Sequence, residues 1–313
     1  MGLSRFNDRE LGSNELICLE DAGKAYGRSR VLNGISLQVQ RGKCTALVGR
    51  NGSGKSTLLR LIAGLTRPTD GMRKVRAGRL VTGYVPERFP PLPFTPSEYL
   101  LSSAEVRGID KLSGRREMEE YLQLLGMEGY AHARMNQFSK GMLQKINLIQ
   151  AMMGSPDLLL LDEPLSGLDT KAQESLLHLL TDLKNGGTAI VMSVHESTLI
   201  EGIADRVLLM KNGAIVEESD GGLQDSLKMT RIVVRGLNED AIRQLAEHPS
   251  VLFASERTEA WELDVLTGST DLLLRQMLDR GGSIVSVIPA DRMNLHLGAQ
   301  AIGAAEPKGD ART

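Results

Sequence analysis

From Leu16 to about Gly222, short apolar runs alternate with amphipathic segments, joined by brief polar connections. That alternation of strand-like and helix-like periods predicts an α/β domain. Cys44 to Val48 is an apolar run that ends in a glycine-rich turn. The helix after it places Leu58, Leu59, Leu61 and Ile62 on its inner face and stops at Gly64. Leu158 to Leu161 and Ala189 to Val194 are apolar throughout, as suits parallel strands covered on both faces. Arg206 to Met210 and Ala214 to Glu217 flank Asn212-Gly213, the signal of a tight hairpin. Between Ser97 and Met153 the period becomes helical. Ser97 is placed to cap the first helix, and Arg115 to Leu125 is amphipathic. The expected organisation is an α/β domain over residues 15–222 with a helical insertion over about 95–153, preceded by an extension at 1–14.

Past Gly221-Gly222 the pattern changes. Ile232 to Val234 reads as a strand, and Asn238 caps a helix running to about Glu247. Val251 to Ala254 and Trp261 to Val265 are strands. Ser269 caps a second helix ending at Gly281-Gly282, and Ile284 to Ile288 is a last strand. The order β-α-β-β-α-β over residues 228–292 predicts a small ferredoxin-like α+β domain. The small, polar residues 301–313 are expected to be disordered. There is no internal repeat.

Composition adds mainly exclusions. With 313 residues, 41% hydrophobic and 24% charged, the chain can bury a substantial core. A net charge of −2 supplies no general attraction for nucleic acid, so none is expected as a partner. Arg73, Lys74, Arg76 and Arg79 lie among glycines and apolar residues and read as a solvated strand-and-turn face. Cys18 and Cys44 sit in apolar runs without metal-ligand spacing, which suggests buried thiols in a reducing cytosol. Met1 to Phe6 has no apolar stretch, so no signal peptide is expected; Phe6 breaks the myristoylation pattern, and no run approaches the ~20 apolar residues of a membrane span. Any membrane role is therefore expected to come through a partner.

The chemistry begins at Gly49-Arg50-Asn51-Gly52-Ser53-Gly54-Lys55-Ser56, followed by Thr57, with a strand before and a helix after. This is the Walker A pattern. Glycines let backbone N–H groups wrap a triphosphate, and the helix points its positive end at the same place. Lys55 would bridge phosphate oxygens, and the Ser56 hydroxyl would bind Mg2+, so ATP and Mg2+ are the expected cofactors. Further on, an apolar strand ends in Asp162-Glu163. Asp162 suits the Walker B role of holding Mg2+, and Glu163 is placed to polarise an attacking water.

At this point the chain resembles the ABC (ATP-binding cassette) ATPases over roughly residues 16–222. Phe138-Ser139-Lys140-Gly141-Met142 is similar to that family's signature motif, Leu-Ser-Gly-Gly-Gln, keeping Ser139 and Gly141 and departing at Lys140 and Met142. By itself Ser139 would read as an ordinary helix cap. The resemblance implies that Ser139 and Gly141 face a γ-phosphate held by a second subunit, and that Ser166-Gly167-Leu168-Asp169 is the D-loop linking two sites. It also implies that His195 is the switch histidine and that Tyr26 stacks on adenine. Tyr84-Val85-Pro86-Glu87 aligns with the Q-loop, with Glu87 in place of glutamine and able to meet Mg2+ or water. Phe89-Pro90-Pro91-Leu92-Pro93 would be a stiff connector into the helical insertion. Gly71 to Gly83 is shorter than the family norm, which implies a trimmed antiparallel β-subdomain.

The fold so implied is a P-loop ABC ATPase core with an antiparallel β-subdomain and a helical subdomain, plus the ferredoxin-like domain. Glu87, the altered signature and the extra domain resemble the bacterial drug-exporter type. The implied partners are a second copy or a paralogous ATPase subunit in a head-to-tail dimer, and an integral permease of about six helices at the cytoplasmic face of the membrane. An importer ATPase, or a non-transport ABC ATPase of translation or DNA repair, is the alternative.

Overall fold

Why the core strands sit where they do follows from their side chains. Every residue of Leu158–Asp162 and of Ala189–Ser193 is buried, so neither strand can lie at an edge. In the computed structural model, which describes residues 11–194, 197–220, 229–248, 250–257 and 260–290, both occupy the middle of a six-stranded sheet.

In chain order the elements of the first unit are β1 (Glu15–Tyr26), β2 (Ser29–Gln40), β3 (Cys44–Val48), α1 (Lys55–Ala63), β4 (Asp70–Val75), β5 (Thr82–Val85), α2 (Pro96–Arg107), α3 (Lys111–Leu124), α4 (Lys140–Met152), β6 (Leu158–Asp162), α5 (Thr170–Asn185), β7 (Ala189–Ser193), α6 (Ser197–Ile203), β8 (Arg206–Lys211) and β9 (Ala214–Asp220). The sheet order is β5-β6-β7-β3-β8-β9. All neighbours are parallel except β8 and β9, which form the hairpin read from Asn212-Gly213. Asn212 (φ 49°) and Gly213 (φ 79°) both take the left-handed conformation that such a two-residue turn requires.

A second, antiparallel sheet has the order β2-β1-β4. Leu16, Ile17, Leu19, Leu32, Ile35 and Leu37 from it share one core with Leu58, Leu59, Leu61 and Ile62 of α1. The basic residues of this region act as fasteners rather than as a solvated face. Arg73 donates from Nε (3.1 Å) and an Nη (2.7 Å) to the Ile62 carbonyl at the end of α1, where a cation also suits the helix dipole. Lys74 pairs with Glu20 at 2.8 Å, and Arg79 donates to the Arg107 carbonyl at 3.0 Å.

The helices α2, α3 and α4 bury Leu100, Met118, Leu122, Ile146 and Ile149 in a core of their own, and Phe89 and Leu92 of the proline-rich connector pack against it. The cap of α2 is Thr95, not Ser97. Thr95 Oγ1 accepts from the Glu98 amide at 3.2 Å while Glu98 returns the bond to the Thr95 amide at 2.8 Å. Pro96 then starts the helix, and Ser97 lies inside it, buried. The amphipathic helix α3 also begins earlier than its apolar pattern suggested, because Asp110 caps it through the Leu112 and Ser113 amides.

The chain divides between Gly222 and Leu223 into two compact units. In the second, β10 (Met229–Arg235), α7 (Glu239–Glu247), β11 (Val251–Arg257), β12 (Ala260–Leu266), α8 (Thr270–Asp279) and β13 (Ser283–Ala290) build an antiparallel sheet of order β11-β12-β10-β13, the ferredoxin-like arrangement. Ile232, Val234, Leu263 and Val265 pack against Ile242 and Leu245 of α7 and Leu273 and Met277 of α8. Asn238 caps α7 through the Ala241 amide at 2.8 Å. Ser269 precedes α8 without capping it, and donates instead to Ser250 Oγ at 2.8 Å. Residues 301–313 lie outside the described residues. Among those described, no helix is long and apolar enough to cross a membrane.

Candidate nucleotide site

The loop between β3 and α1 is shaped by its glycines. At Gly49 a Cβ would stand 2.4 Å from the Met210 carbonyl, and at Gly54 it would meet Leu32 Cδ2 at 2.8 Å. The loop is thus pressed between β8 and β2, and Gly213 donates to the Ser53 carbonyl at 3.1 Å to hold it there. At Gly52 nothing lies within 4 Å of such a Cβ, so this part of the loop faces open space. Gly54, the N-cap of α1, offers no side-chain cap, and the first turn carries no acidic residue. The positive end of α1 is left for another anion. Ser53 Oγ is buried without a hydrogen-bond partner among the described residues. Asn51 is exposed, Ser56 half-buried and Thr57 buried.

Lys55 is 6% exposed, and its Nζ donates to the carbonyls of Gly49 (2.6 Å) and Arg50 (3.1 Å). Burial lowers its pKa, while the carboxylates of Glu163, Asp162 and Glu87 push the other way. Sheet register sets Asp162 beside Ser193 and Ser193 beside Leu47, which brings the acids ending β6 to the same strand ends as the loop that carries Lys55. Asp162 ends β6, 2% exposed, and its Oδ1 accepts from Ser193 Oγ at 2.6 Å. Glu163 follows at φ 52°, a left-handed conformation costly for a residue with a side chain. Its amide donates to the Ser193 carbonyl (3.2 Å) and to Ser193 Oγ (3.0 Å), which hold the turn. Ser193 escaped the sequence reading. Its signal was a lone hydroxyl in the apolar run of β7, in register with Asp162.

Glu87 stands just past β5, half-exposed, 3.9 Å from Arg88. The preceding residue is held from α4, where Asn147, 1% exposed, donates to the Pro86 carbonyl at 3.3 Å. Gln144, 3% exposed, does the same for the Pro164 carbonyl at 3.3 Å, directly after Glu163. Asn147 was also missed, although an amide on an apolar helix face was visible.

Ser139, Gly141 and Asp169 form a second group. Ser139 caps α4, its Oγ accepting from the Met142 amide at 3.3 Å. Asp169 caps α5 through the Ala172 amide at 2.9 Å and pairs with Lys145 at 3.0 Å. The amide and the ammonium hold its carboxyl below the ordinary range. Tyr26 closes β1 with its ring half-exposed, and Lys24 Nζ lies 5.0 Å from the ring centre. His195 lies outside the described residues.

Comparison with known proteins identifies the class. A sequence model of the ABC transporter family matches residues 32–166. An ABC transporter ATP-binding protein of Bacillus subtilis, YxlF, is 29% identical over 82% of this chain and 90% of its own. MJ1023 of Methanocaldococcus jannaschii, another ABC transporter ATP-binding protein, is 31% identical over 78% of this chain and 92% of its own. The methionine import ATP-binding protein MetN of Geobacillus kaustophilus is 32% identical, and the match covers 66% of each chain. Among solved structures, the ATP-binding subunit of an ABC transporter superposes with a TM-score of 0.62 at 25% identity, covering 84% of this chain and 99% of that one. The dimeric cassette MJ0796, bound to ADP and Pi, shares the fold at a TM-score of 0.60 and 24% identity, over 66% of this chain and 98% of that one. The chain belongs to the ABC transporter ATP-binding family. It is an ATP-hydrolysing cassette, the energy-supplying subunit of such a transporter.

Proposed function

We propose that this subunit hydrolyses ATP with Mg2+ between two cassettes arranged head to tail, and that it drives a separate permease of about six helices from the cytoplasmic face of the membrane. The observation that carries the reading is the glycine loop before the uncapped start of α1, with Lys55 buried in it and Asp162-Glu163 at the neighbouring strand ends. The residues present suit the ligand. An unpartnered buried Ser53 hydroxyl and open backbone amides fit phosphate oxygens. Among the described residues no cluster of three acidic, His or Cys side chains could hold a metal alone. Mg2+ would rest on Ser56, Asp162, phosphate oxygens and water, with Glu87 a further candidate ligand. Bound there, the ion would neutralise charge as the phosphate bond breaks.

The protein's own residues do the rest. Lys55, now on the Gly49 and Arg50 carbonyls, would turn to the β- and γ-phosphates, aided by the amides from Gly49 to Thr57, Asn51 included. Ser193 fixes Asp162 and, through the Glu163 amide, the direction of the Glu163 carboxylate, which orients water as general base. His195 would contact the γ-phosphate. Tyr26 would stack on adenine with Lys24 behind its ring. Ser139, Gly141 and Asp169 would face the nucleotide of the second copy, as the dimeric neighbour supports.

Export is the direction favoured by Glu87 and the Lys140- and Met142-containing signature. The likeness to a methionine importer favours import as the second reading. The test is Glu163→Gln, expected to lower turnover by about 10²–10⁴-fold while ATP binding persists and a nucleotide-held dimer accumulates on gel filtration. Turnover at the parent rate would remove Glu163 from the mechanism. A polytopic protein co-purifying from gently solubilised membranes would supply the permease.

A further inference from the structure

The one place where this chain departs most from its family's signature is also the place where the signature touches the D-loop. Lys140, where the common motif has glycine, opens α4 at the positive end of the helix dipole, an unfavourable position for a cation. It is not simply solvated. Its Nζ donates to Ser166 Oγ at 2.8 Å, and its Cγ lies 3.7 Å from where a Cβ on Gly167 would stand. Next to it Gly141 is so close to the Gly167 carbonyl that a Cβ would come within 2.2 Å. One turn on, Gln144 holds the Pro164 carbonyl and Lys145 holds Asp169. Residues 140, 141, 144 and 145 share one face of a helix, and they take hold of 164, 166, 167 and 169 in turn.

We propose that Lys140 is a positioning residue: its side chain straps Ser166 and Gly167 to the start of α4, so that the signature segment and the D-loop move as one body. This rests on the reading of Ser139, Gly141 and Asp169 given above. The consequence is mechanical. A displacement of α4 is delivered to the D-loop of the same chain, and through Pro164 to the turn that presents Glu163, without waiting for the second cassette. A glycine at position 140 would leave only the backbone contact and the flanking bonds.

The experiment uses the full purified chain and compares Lys140→Ala, Lys140→Arg, Ser166→Ala and the double variant Lys140→Ala/Ser166→Ala. Amide hydrogen exchange is measured without nucleotide, and ATPase kinetics with Mg2+ and ATP. An exposed bond of this kind is worth about 0.5–1.5 kcal/mol, so Lys140→Ala should speed exchange in residues 164–168 by about 2–10-fold. kcat should fall by a similar factor, with KM for ATP within about twofold, since the strap touches no part of the chain's own Walker A loop. Lys140→Arg should restore most of both. Ser166→Ala should reproduce the loss, and the double variant should be no worse than Lys140→Ala alone. Unchanged exchange in Lys140→Ala, additive losses in the double variant, or a change in KM alone would each overturn the proposal. A parent chain that hydrolyses no ATP would sink the functional reading, while the exchange experiment would still decide the strap.

Discussion

Gly141 offers a test in which two explanations of one glycine predict opposite signs. If the residue is glycine only so that a phosphate can approach α4, then Gly141→Ala should leave the nucleotide-free protein unharmed. Ala has the higher helix propensity, so the variant should even gain up to about 1 kcal/mol in α4. The structure says otherwise. An added Cβ would stand 2.2 Å from the Gly167 carbonyl oxygen and 3.2 Å from its carbon. A relaxed carbon–oxygen contact is about 3.3 Å, so the two segments must part by about 1 Å. Neither partner is a flexible side-chain tip; both are backbone, at the foot of α4 and in a turn whose Gly167 is itself left-handed at φ 78°. Forcing extra volume into such a contact costs about 1–3 kcal/mol. The net expectation is a loss of roughly 0–2 kcal/mol, concentrated at this junction. Hydrogen exchange should accelerate at residues 138–145 and 164–169 together, by up to about 30-fold, and ATP turnover should fall with it. Gly129→Ala is the control, because nothing lies within 4 Å of its Cβ position and its exchange should not change. Slower exchange at both segments with a higher Tm would refute the packing explanation and return Gly141 to the phosphate alone.

Asp205 accepts from the Cys44 amide at 2.8 Å and faces Lys184 and Lys43, both at 3.4 Å. Burial alone would raise its pKa, yet the amide and the two ammonium groups hold it below the ordinary carboxylate range. A depressed folded pKa gives stability that is present above the unfolded value of about 3.9 and is lost as pH falls through the folded one. The Tm gap between parent and Asp205→Asn should therefore be full at pH 7 and 5 and shrink below about pH 4; a gap independent of pH would contradict the assignment. Arg231 holds Asp264, 1% exposed, through two bonds of 2.7 and 2.9 Å. Arg231→Met should cost the second unit about 3–5 kcal/mol, read as lost exchange protection within residues 229–290 while 11–194 stays protected. Tyr26 is half-exposed, so Tyr26→Ala should leave Tm in place. It should weaken ATP binding by about 1–3 kcal/mol in a fluorescence titration, with Tyr26→Phe close to the parent; unaltered affinity would take Tyr26 out of the site.

The sequence made the core strands legible because burial on both faces leaves an uninterrupted apolar run, and Leu158 to Leu161 has no other economical reading. Walker A was legible for a different reason: lysine, serine and three glycines at fixed spacing satisfy a chemical need that few turns share. Helix starts were harder. Ser97 and Thr95 are both good caps, and only Pro96 between them marks Thr95 as the residue outside the helix. The basic run from Arg73 to Arg79 looked like a solvated face because its acceptors, the Ile62 and Arg107 carbonyls, are backbone groups that carry no signature in the sequence. Ser193 and Asn147 were missed likewise. Their partners are brought near by sheet register and helix packing, which a linear pattern does not contain.

The polar residues of α4 show why such groups are worth burying. Gln144 and Asn147 are almost inaccessible, and leucine at either place would suit the helix better. Each instead holds the carbonyl of a proline, Pro164 or Pro86, that is bonded to an acidic residue of the candidate site. A proline has no N–H with which to secure itself, so α4 holds each of the two by its carbonyl. Each bond contributes only about 1 kcal/mol of net stability, too little to explain two buried amides by folding energy alone. What they supply is position. One helix fixes the residue before Glu87 and the residue after Glu163, and Ser139 caps its start. Any shift of α4 is therefore passed to the residues flanking both acids together, whereas side chains anchored on separate elements would hold them independently.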